Sequence, residues 1–288
     1  MVLVPLGIHL LLLWSLAPSR VAHEHSPPEH GVPESAVEEL WLESVNRKRV
    51  FAWFIAADAG QTNPASPRPA TLIMHGWGSN AAMMLAMAAP LRAAGQAALF
   101  IDARSHGRSD GEAFSSMPRF AEDIATGLAW LRTRPGIDGE RLSLIGHSVG
   151  AAATLLHASR HHDVCAVISL SAFAHPREVM QRWIRSQRLP LECVANLVLR
   201  HVERVIGERF DDIAPVSTAA RLKCPLLVVH GRQDDTVPFD DARRIVAAAP
   251  CSRLLAIDGD HDLRRTLPPH VDELIGFLRR SCHDAGAA

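Results

Sequence analysis

Gly146-His147-Ser148-Val149-Gly150 sets one serine between two glycines at the join of two different kinds of segment. The preceding run, Arg141-Leu142-Ser143-Leu144-Ile145, reads as a strand, and the alanine-rich run over residues 151–158 reads as a helix. A G-x-S-x-G at such a join is a nucleophile elbow, a sharp turn that holds a serine hydroxyl above the end of a sheet. The turn is crowded and strained, so a Cβ at either glycine is expected to strike the neighbouring strand or helix. A serine hydroxyl attacks a carbonyl only when a base takes its proton and a third group orients the base.

Both partners are present further along the chain. His261 lies in Gly259-Asp260-His261-Asp262, after the last strand-like run, on a loop able to swing an imidazole over Ser148. Asp234 lies in His230-Gly231-Arg232-Gln233-Asp234-Asp235-Thr236-Val237-Pro238, after the preceding strand-like run, with Asp235 as its rival. The order serine, aspartate, histidine is the one this strand-to-helix architecture requires. Such chemistry needs no metal and no organic cofactor, and none is expected. The five cysteines, Cys165, Cys193, Cys224, Cys251 and Cys282, form no C-x-x-C pair and have no metal-ligand spacing. An odd number argues against a complete disulfide framework, and Cys165 and Cys224 are expected as buried free thiols.

The elements that must position these groups follow from periodicity. Residues 40–45 and 49–55 read as a hairpin around Asn46-Arg47-Lys48, and residues 63–69 as a loop. Strands are expected over 70–75, 97–102, 141–145, 164–170, 224–230 and 253–257. Helices are expected over 81–94, 117–133, 151–158, 240–249 and 270–280. Strands alternating with helices give an α/β fold, a mostly parallel central sheet with helices on both faces. Between Phe173 and Pro215 the pattern is helical with no strand. An insertion there is expected to form a small helical cap, about residues 173–215, over the strand ends where open α/β sheets carry their sites.

With 288 residues the chain suits one large domain, expected over 37–282 with a tail at 283–288. Thirty Lys+Arg against 31 Asp+Glu leave no bulk attraction to nucleic acid, which is not expected as a partner. Residues 1–22 are a hydrophobic segment with Arg20 as its first charged side chain. Three readings stay open for it: an export signal, a membrane anchor, or a start codon set too early. The first two make an exported or membrane-associated protein. Residues 23–36, rich in Pro, His and Glu, read as a flexible polar linker. His23, His25 and His30 could bind metal there, but a solvated tail is the simpler reading.

The chain resembles the α/β-hydrolase superfamily, in its serine esterase, lipase and aminopeptidase-like branch. Four segments carry the resemblance: His75-Gly76-Trp77-Gly78, the run from Asp102 to Gly111, the elbow, and His230-Gly231-x-x-Asp234-x-x-Val237-Pro238. The resemblance spans roughly residues 40–280. It implies an α/β-hydrolase fold, with the backbone N–H groups of Trp77 and Val149 forming an oxyanion hole. The D-x-x-V-P spacing of the matching motif selects Asp234 over Asp235, which is then a turn or surface carboxylate.

Other prominent residues have plainer expectations. His75 and His106 bond backbone near the site, His147 shapes the pocket, and His157, His161 and His162 end a helix, where positive charge suits the dipole. Asp110 and Arg108 order a loop. The excess of arginine between 177 and 209 either favours anionic substrates or a lipid surface, or forms the solvated face of amphipathic helices. Trp183, Ile184, Leu189, Leu197 and Leu199 either line an acyl pocket or pack on the domain. The expected activity is cleavage of a small-molecule carboxylic ester through an acyl-enzyme at Ser148, with His261 and Asp234. The alternatives are a serine peptidase of aminopeptidase or oligopeptidase type, with Glu178, Glu192 or Glu203 to bind an amino terminus, and a non-catalytic binding protein on the same fold.

Overall fold

The computed structural model describes residues 13, 15–58, 66–186 and 192–284. Most of the apolar segment at residues 1–17, part of the loop over 63–69, Leu189 and the last four residues lie outside them.

Eight strands form one sheet: β1 (Val37–Glu43), β2 (Arg49–Ile55), β3 (Arg68–Met74), β4 (Ala97–Ile101), β5 (Ile137–His147), β6 (Ala166–Leu170), β7 (Leu226–Gly231) and β8 (Ser252–Ile257). Their order is β1-β2-β4-β3-β5-β6-β7-β8. The hairpin partner β2 runs antiparallel to both β1 and β4, and all other pairings are parallel. The helices are α1 (Ala88–Ala93), α2 (Met117–Thr133), α3 (Val149–His161), α4 (Pro176–Ser186), α5 (Glu192–Ile206), α6 (Phe210–Ile213), α7 (Pro215–Ala219), α8 (Phe239–Ala248) and α9 (Val271–Asp284).

Strand periodicity divides the core in two. Leu72 and Met74 of β3 point to the face covered by α2, α3 and α8, while Ile73 between them points to the face covered by α1 and α9. Helix α2 meets the first face through Phe120, Ile124, Leu128 and Leu131, a helical stripe that is fully buried. Because both faces are covered, the parallel strands are apolar in nearly every position, as β7 shows with six buried residues in a row. This is the α/β-hydrolase architecture expected from the sequence, with α4 and α5 in the helical insertion.

Three local readings change. The helix expected over 81–94 is split, with a 3-10 stretch Ala81–Met87 followed by α1. Asp102 and the Asn80 side chain take the N–H groups of Ala81 and Ala82 and tighten the first turn. Pro90, which has no N–H, then falls in the first turn of α1, where none is needed.

The stretch at 23–36 is not a free linker. Val32 and Ala36 enter the core, 1% and 8% exposed, and two 3-10 turns, Pro27–His30 and Glu34–Ala36, lay the chain onto the domain. Cys165 is not a free thiol either. It is disulfide-bonded to Cys282 of α9, with 5.0 Å between the Cα atoms. The helix packs across the sheet face beside the start of β6 and brings residues 117 apart in sequence together. Cys224 and Cys251 are free.

Candidate active site

Strand β5 ends at His147 and α3 begins at Val149, so Ser148 alone makes the turn, with φ 52° and ψ −116°. A side chain other than glycine rarely adopts that conformation, and its surroundings hold it there. An added Cβ at Gly146 would lie 2.4 Å from the Gly150 carbonyl oxygen. One at Gly150 would lie 2.3 Å from the His75 carbonyl oxygen. The two glycines therefore let helix, elbow and the end of β3 approach to backbone contact.

The three groups nominated from the sequence converge although they are far apart in the chain. His261 Nε2 lies 3.0 Å from Ser148 Oγ, and His261 Nδ1 lies 2.8 Å from Asp234 Oδ2. A carboxylate only accepts, so Nδ1 carries the proton and Nε2 is left to accept from the serine hydroxyl. Asp234 accepts further hydrogen bonds at Oδ1 from the N–H groups of Val237 and Thr236, at 2.7 and 3.0 Å. Burial alone would push its carboxyl up. The hydrogen bonds from His230, His261 and the Val237 amide outweigh that and hold it well below the usual carboxylate range. Asp235 is exposed and, among the described residues, bonds its neighbour Thr236.

Two supporting groups go beyond what was expected of them from the sequence. His230 Nε2 donates to the Val237 carbonyl at 2.9 Å and also lies 3.2 Å from Asp234 Oδ2, fixing the carboxylate from behind. Its place four residues before Asp234 at the end of a strand was the available signal. His147 was expected only to shape the pocket, yet its Nε2–H donates to the backbone carbonyl of His261 at 2.8 Å. Burial, with the His261 charge adding to it, pushes the His147 imidazole down to about 4 against the effect of that hydrogen bond.

The loop after β3 abuts the elbow, since an added Cβ on Gly76 would lie 3.3 Å from the Ser148 Cβ. Trp77 on that loop and Val149 line the same cavity as Ser148. Val149 opens α3, where the first N–H groups have no acceptor within the helix. Behind the loop, His75 Nε2 accepts from the Ala103 amide and His106 Nδ1 faces the Arg104 carbonyl. Burial, followed by the nearby His75, pushes His106 down to about 3.

The cavity at Ser148 measures about 920 Å³. The insertion contributes Val179, Met180, Trp183 and Val202 to it. Ile184 and Leu199 instead pack into the core, and Leu197 is half-buried. Several arginines of the insertion are paired: Arg177 with Glu203, Arg182 with Asp241 and Arg209 with Asp211.

Residues 65–215 match the family described as serine aminopeptidase, S33. An uncharacterized protein of Salmonella typhimurium, YfhR, is 23% identical over 234 residues, which is 81% of this chain and 77% of its own length. Among solved structures, an esterase from Pyrococcus furiosus superposes with a TM-score of 0.69 at 19% identity, covering 93% of this chain and 98% of its own. An acylaminoacyl peptidase from Pyrococcus horikoshii gives a TM-score of 0.62 at 16% identity, over 85% of this chain and 41% of its own. At these identities the likeness of the two structures concerns the fold. The chain belongs to the serine aminopeptidase S33 family of α/β hydrolases.

Proposed function

We propose that the protein is a serine hydrolase that cleaves carboxylic esters through an acyl-enzyme. The observation that carries this reading is the unbroken chain of contacts from Ser148 Oγ through His261 to Asp234, at 3.0 and 2.8 Å. Ser148 attacks the ester carbonyl while His261 Nε2 takes its proton. The N–H groups of Trp77 and Val149 hold the oxyanion, a contribution worth several kcal/mol in such sites, about 2.7–4 for one donor. His261 returns the proton to the departing alcohol. Water, activated by the same imidazole, then attacks the acyl-serine and frees the acid. Asp234 keeps the Nδ1–H tautomer and stabilises the imidazolium.

The family description and the acylaminoacyl peptidase neighbour raise the aminopeptidase alternative. That activity needs a carboxylate turned to a substrate ammonium. Glu178 is engaged by Arg244 at 2.8 Å, and Glu203 accepts from the Phe210 amide at 2.9 Å and pairs with Arg177. The side chain of Glu192 lies outside the described residues. On the cavity wall, Asp262 is held by Arg264 at 2.6 Å. The engagement of Glu178, Glu203 and Asp262 favours the ester, and Glu24 on the cavity wall is the carboxylate that the peptidase alternative would use.

Labelling with an alkyl fluorophosphonate tests the reading, because the reagent reports an activated serine without needing the right substrate. The expected result is labelling of the parent that vanishes in Ser148→Ala. A folded parent that takes no label would favour the non-catalytic alternative. Short p-nitrophenyl esters and aminoacyl-p-nitroanilides, compared on unreacted protein from a preparation shown to take the label, separate esterase from aminopeptidase.

A further inference from the structure

Residues 15–25, read from the sequence as leader and linker, form one wall of the cavity. Leu16, Val21, Ala22, Glu24 and His25 line it, facing Met180 and Trp183 from the insertion. This strap is fastened at three places. The Leu16 carbonyl accepts from the Ser115 amide at 2.8 Å. The Asn80 side-chain amide donates to the carbonyls of Val21 and Ala22, at 2.9 and 3.0 Å. His23 reaches Asp102 with Nε2 at 2.9 Å from Oδ2, and its ring lies 4.4 Å from that of Trp53 and 5.3 Å from that of Phe51. The Asp102 side chain is fully buried and that of His23 is 11% exposed, so this clamp is part of the interior.

The chemistry of the lining is uneven. Of the five large apolar residues left exposed among the described residues, three border this cavity: Val21, Trp77 and Trp183, at 40%, 37% and 49%. A surface that leaves such groups wet around a roomy apolar hollow is complementary to an apolar ligand. The charged side chains on the wall are few, and two of them, Asp262 and Arg264, neutralise each other.

We propose that the cavity beside Ser148 accepts esters carrying a long apolar chain, held between the cap helices and the His23-anchored strap. This rests on the serine esterase reading above. A cavity near 920 Å³ lies at the upper end of ordinary ligand pockets and holds a chain on the order of ten or more carbons. Each methylene buried contributes about 0.8 kcal/mol, a factor of about four in kcat/KM when it is realised in the transition state.

The test uses the full 288-residue chain, with its intact N-terminus verified by mass. It measures kcat/KM for p-nitrophenyl esters of four to sixteen carbons, and in a second arm for acetates of alcohols over the same range. The expected result is a rise of two or more orders of magnitude with length in one arm before the cavity is filled. Val21→Asp, which puts a charge into the strap wall, is expected to lower the long-to-short ratio at least tenfold, as is Met180→Asp on the cap wall. Val45→Asp, at an exposed apolar residue away from the cavity, is expected to leave the ratio unchanged.

Fluorophosphonate labelling of every variant reports that the site is assembled. A parent that labels but shows no length dependence in either arm overturns the long-chain proposal and leaves the serine hydrolase reading standing. A ratio that falls in Met180→Asp but not in Val21→Asp, both shown on separate aliquots to take the label, removes the strap from the wall. Failure of the parent to label strikes the esterase reading itself.

Discussion

His147 holds His261 by the backbone: its Nε2–H donates to the His261 carbonyl at 2.8 Å while the two rings lie 5.1 Å apart. The residue preceding Ser148 thus positions the loop that carries His261. The contact is absent from any sequence motif because it joins a side chain to a carbonyl 114 residues away. His147→Ala is expected to lower kcat on the order of tenfold, the worth of one neutral hydrogen bond, with KM nearly unchanged. Because the bond is made to backbone, His147→Gln, which can donate from its amide, should recover part of the loss. Steady-state kinetics of the two variants on a short ester decide it, and equal kcat in parent and His147→Ala would dismiss the positioning role.

Asp234 and Asp235 are separated by the same experiment applied to two neighbours. Asp234 is buried and accepts from His261, Val237 and Thr236, whereas Asp235 is exposed. Asp234→Asn keeps the volume but leaves an amide that favours the wrong tautomer of His261. A fall in kcat of about four orders of magnitude is expected, the size of that effect in serine proteases. Asp235→Asn is expected to stay within about twofold of the parent. The reverse pattern would move the orienting role to Asp235.

The site also makes stability depend on pH. In the unfolded chain the imidazoles titrate near pH 6.5, whereas burial pushes His147 down to about 4 and His106 to about 3 in the folded state. Between those values the unfolded chain binds more protons, so stability rises with pH and is fully present above pH 6.5. Asp234 acts in the same direction lower on the scale. Its folded carboxyl is held below the ordinary value of 3.8, so its contribution is present above that and lost as pH falls further. Urea unfolding followed from pH 4 to 7 should show a slope of up to about 1.4 kcal/mol per pH unit for each histidine. His106→Asn should remove one histidine's share. A slope left unchanged by His106→Asn would contradict the buried, neutral state of that ring.

Motifs with a fixed local geometry were legible in the sequence. The elbow, the turn after β7 and the loop after β8 each declare their residues within a few positions, and the mostly parallel sheet follows from alternation of apolar runs with helices. Ser148, Asp234 and His261 were therefore nominated without coordinates, and the structure brings them within hydrogen-bond reach of one another. What depends on packing between distant segments was not legible. Residues 23–36 carry the polarity and prolines of a linker, and only Asp102 with the Phe51 and Trp53 rings gives His23, and only the buried cluster around α1 gives Val32, somewhere to bury. The helix expected over 81–94 opens as a 3-10 stretch whose first amide, that of Ala81, is taken by Asp102, 21 residues away. Cys165 and Cys282 showed the same blindness, since spacing says nothing about which helix crosses which strand.

That disulfide ties the C-terminal helix to the sheet. Closing a loop of 117 residues, it restricts the unfolded chain strongly, and removal of such a bridge typically costs about 2–4 kcal/mol. Cys282→Ser is expected to lower the midpoint of thermal unfolding by several degrees. In the parent the midpoint should fall similarly on reduction, and in Cys282→Ser it should be insensitive to reductant. Thiol titration under denaturing conditions should gain two groups per chain after reduction. Bridges of this kind persist in oxidising compartments and are rare in the cytosol. Protein secreted through an oxidising export route should therefore show the two-thiol gain, whereas a cytosolic preparation alkylated at lysis should show both thiols already free. If the exported protein also presents every cysteine as a thiol, α9 is held by packing of residues such as Val271, Leu274, Ile275 and Leu278 without a bridge, and the bridge is refuted.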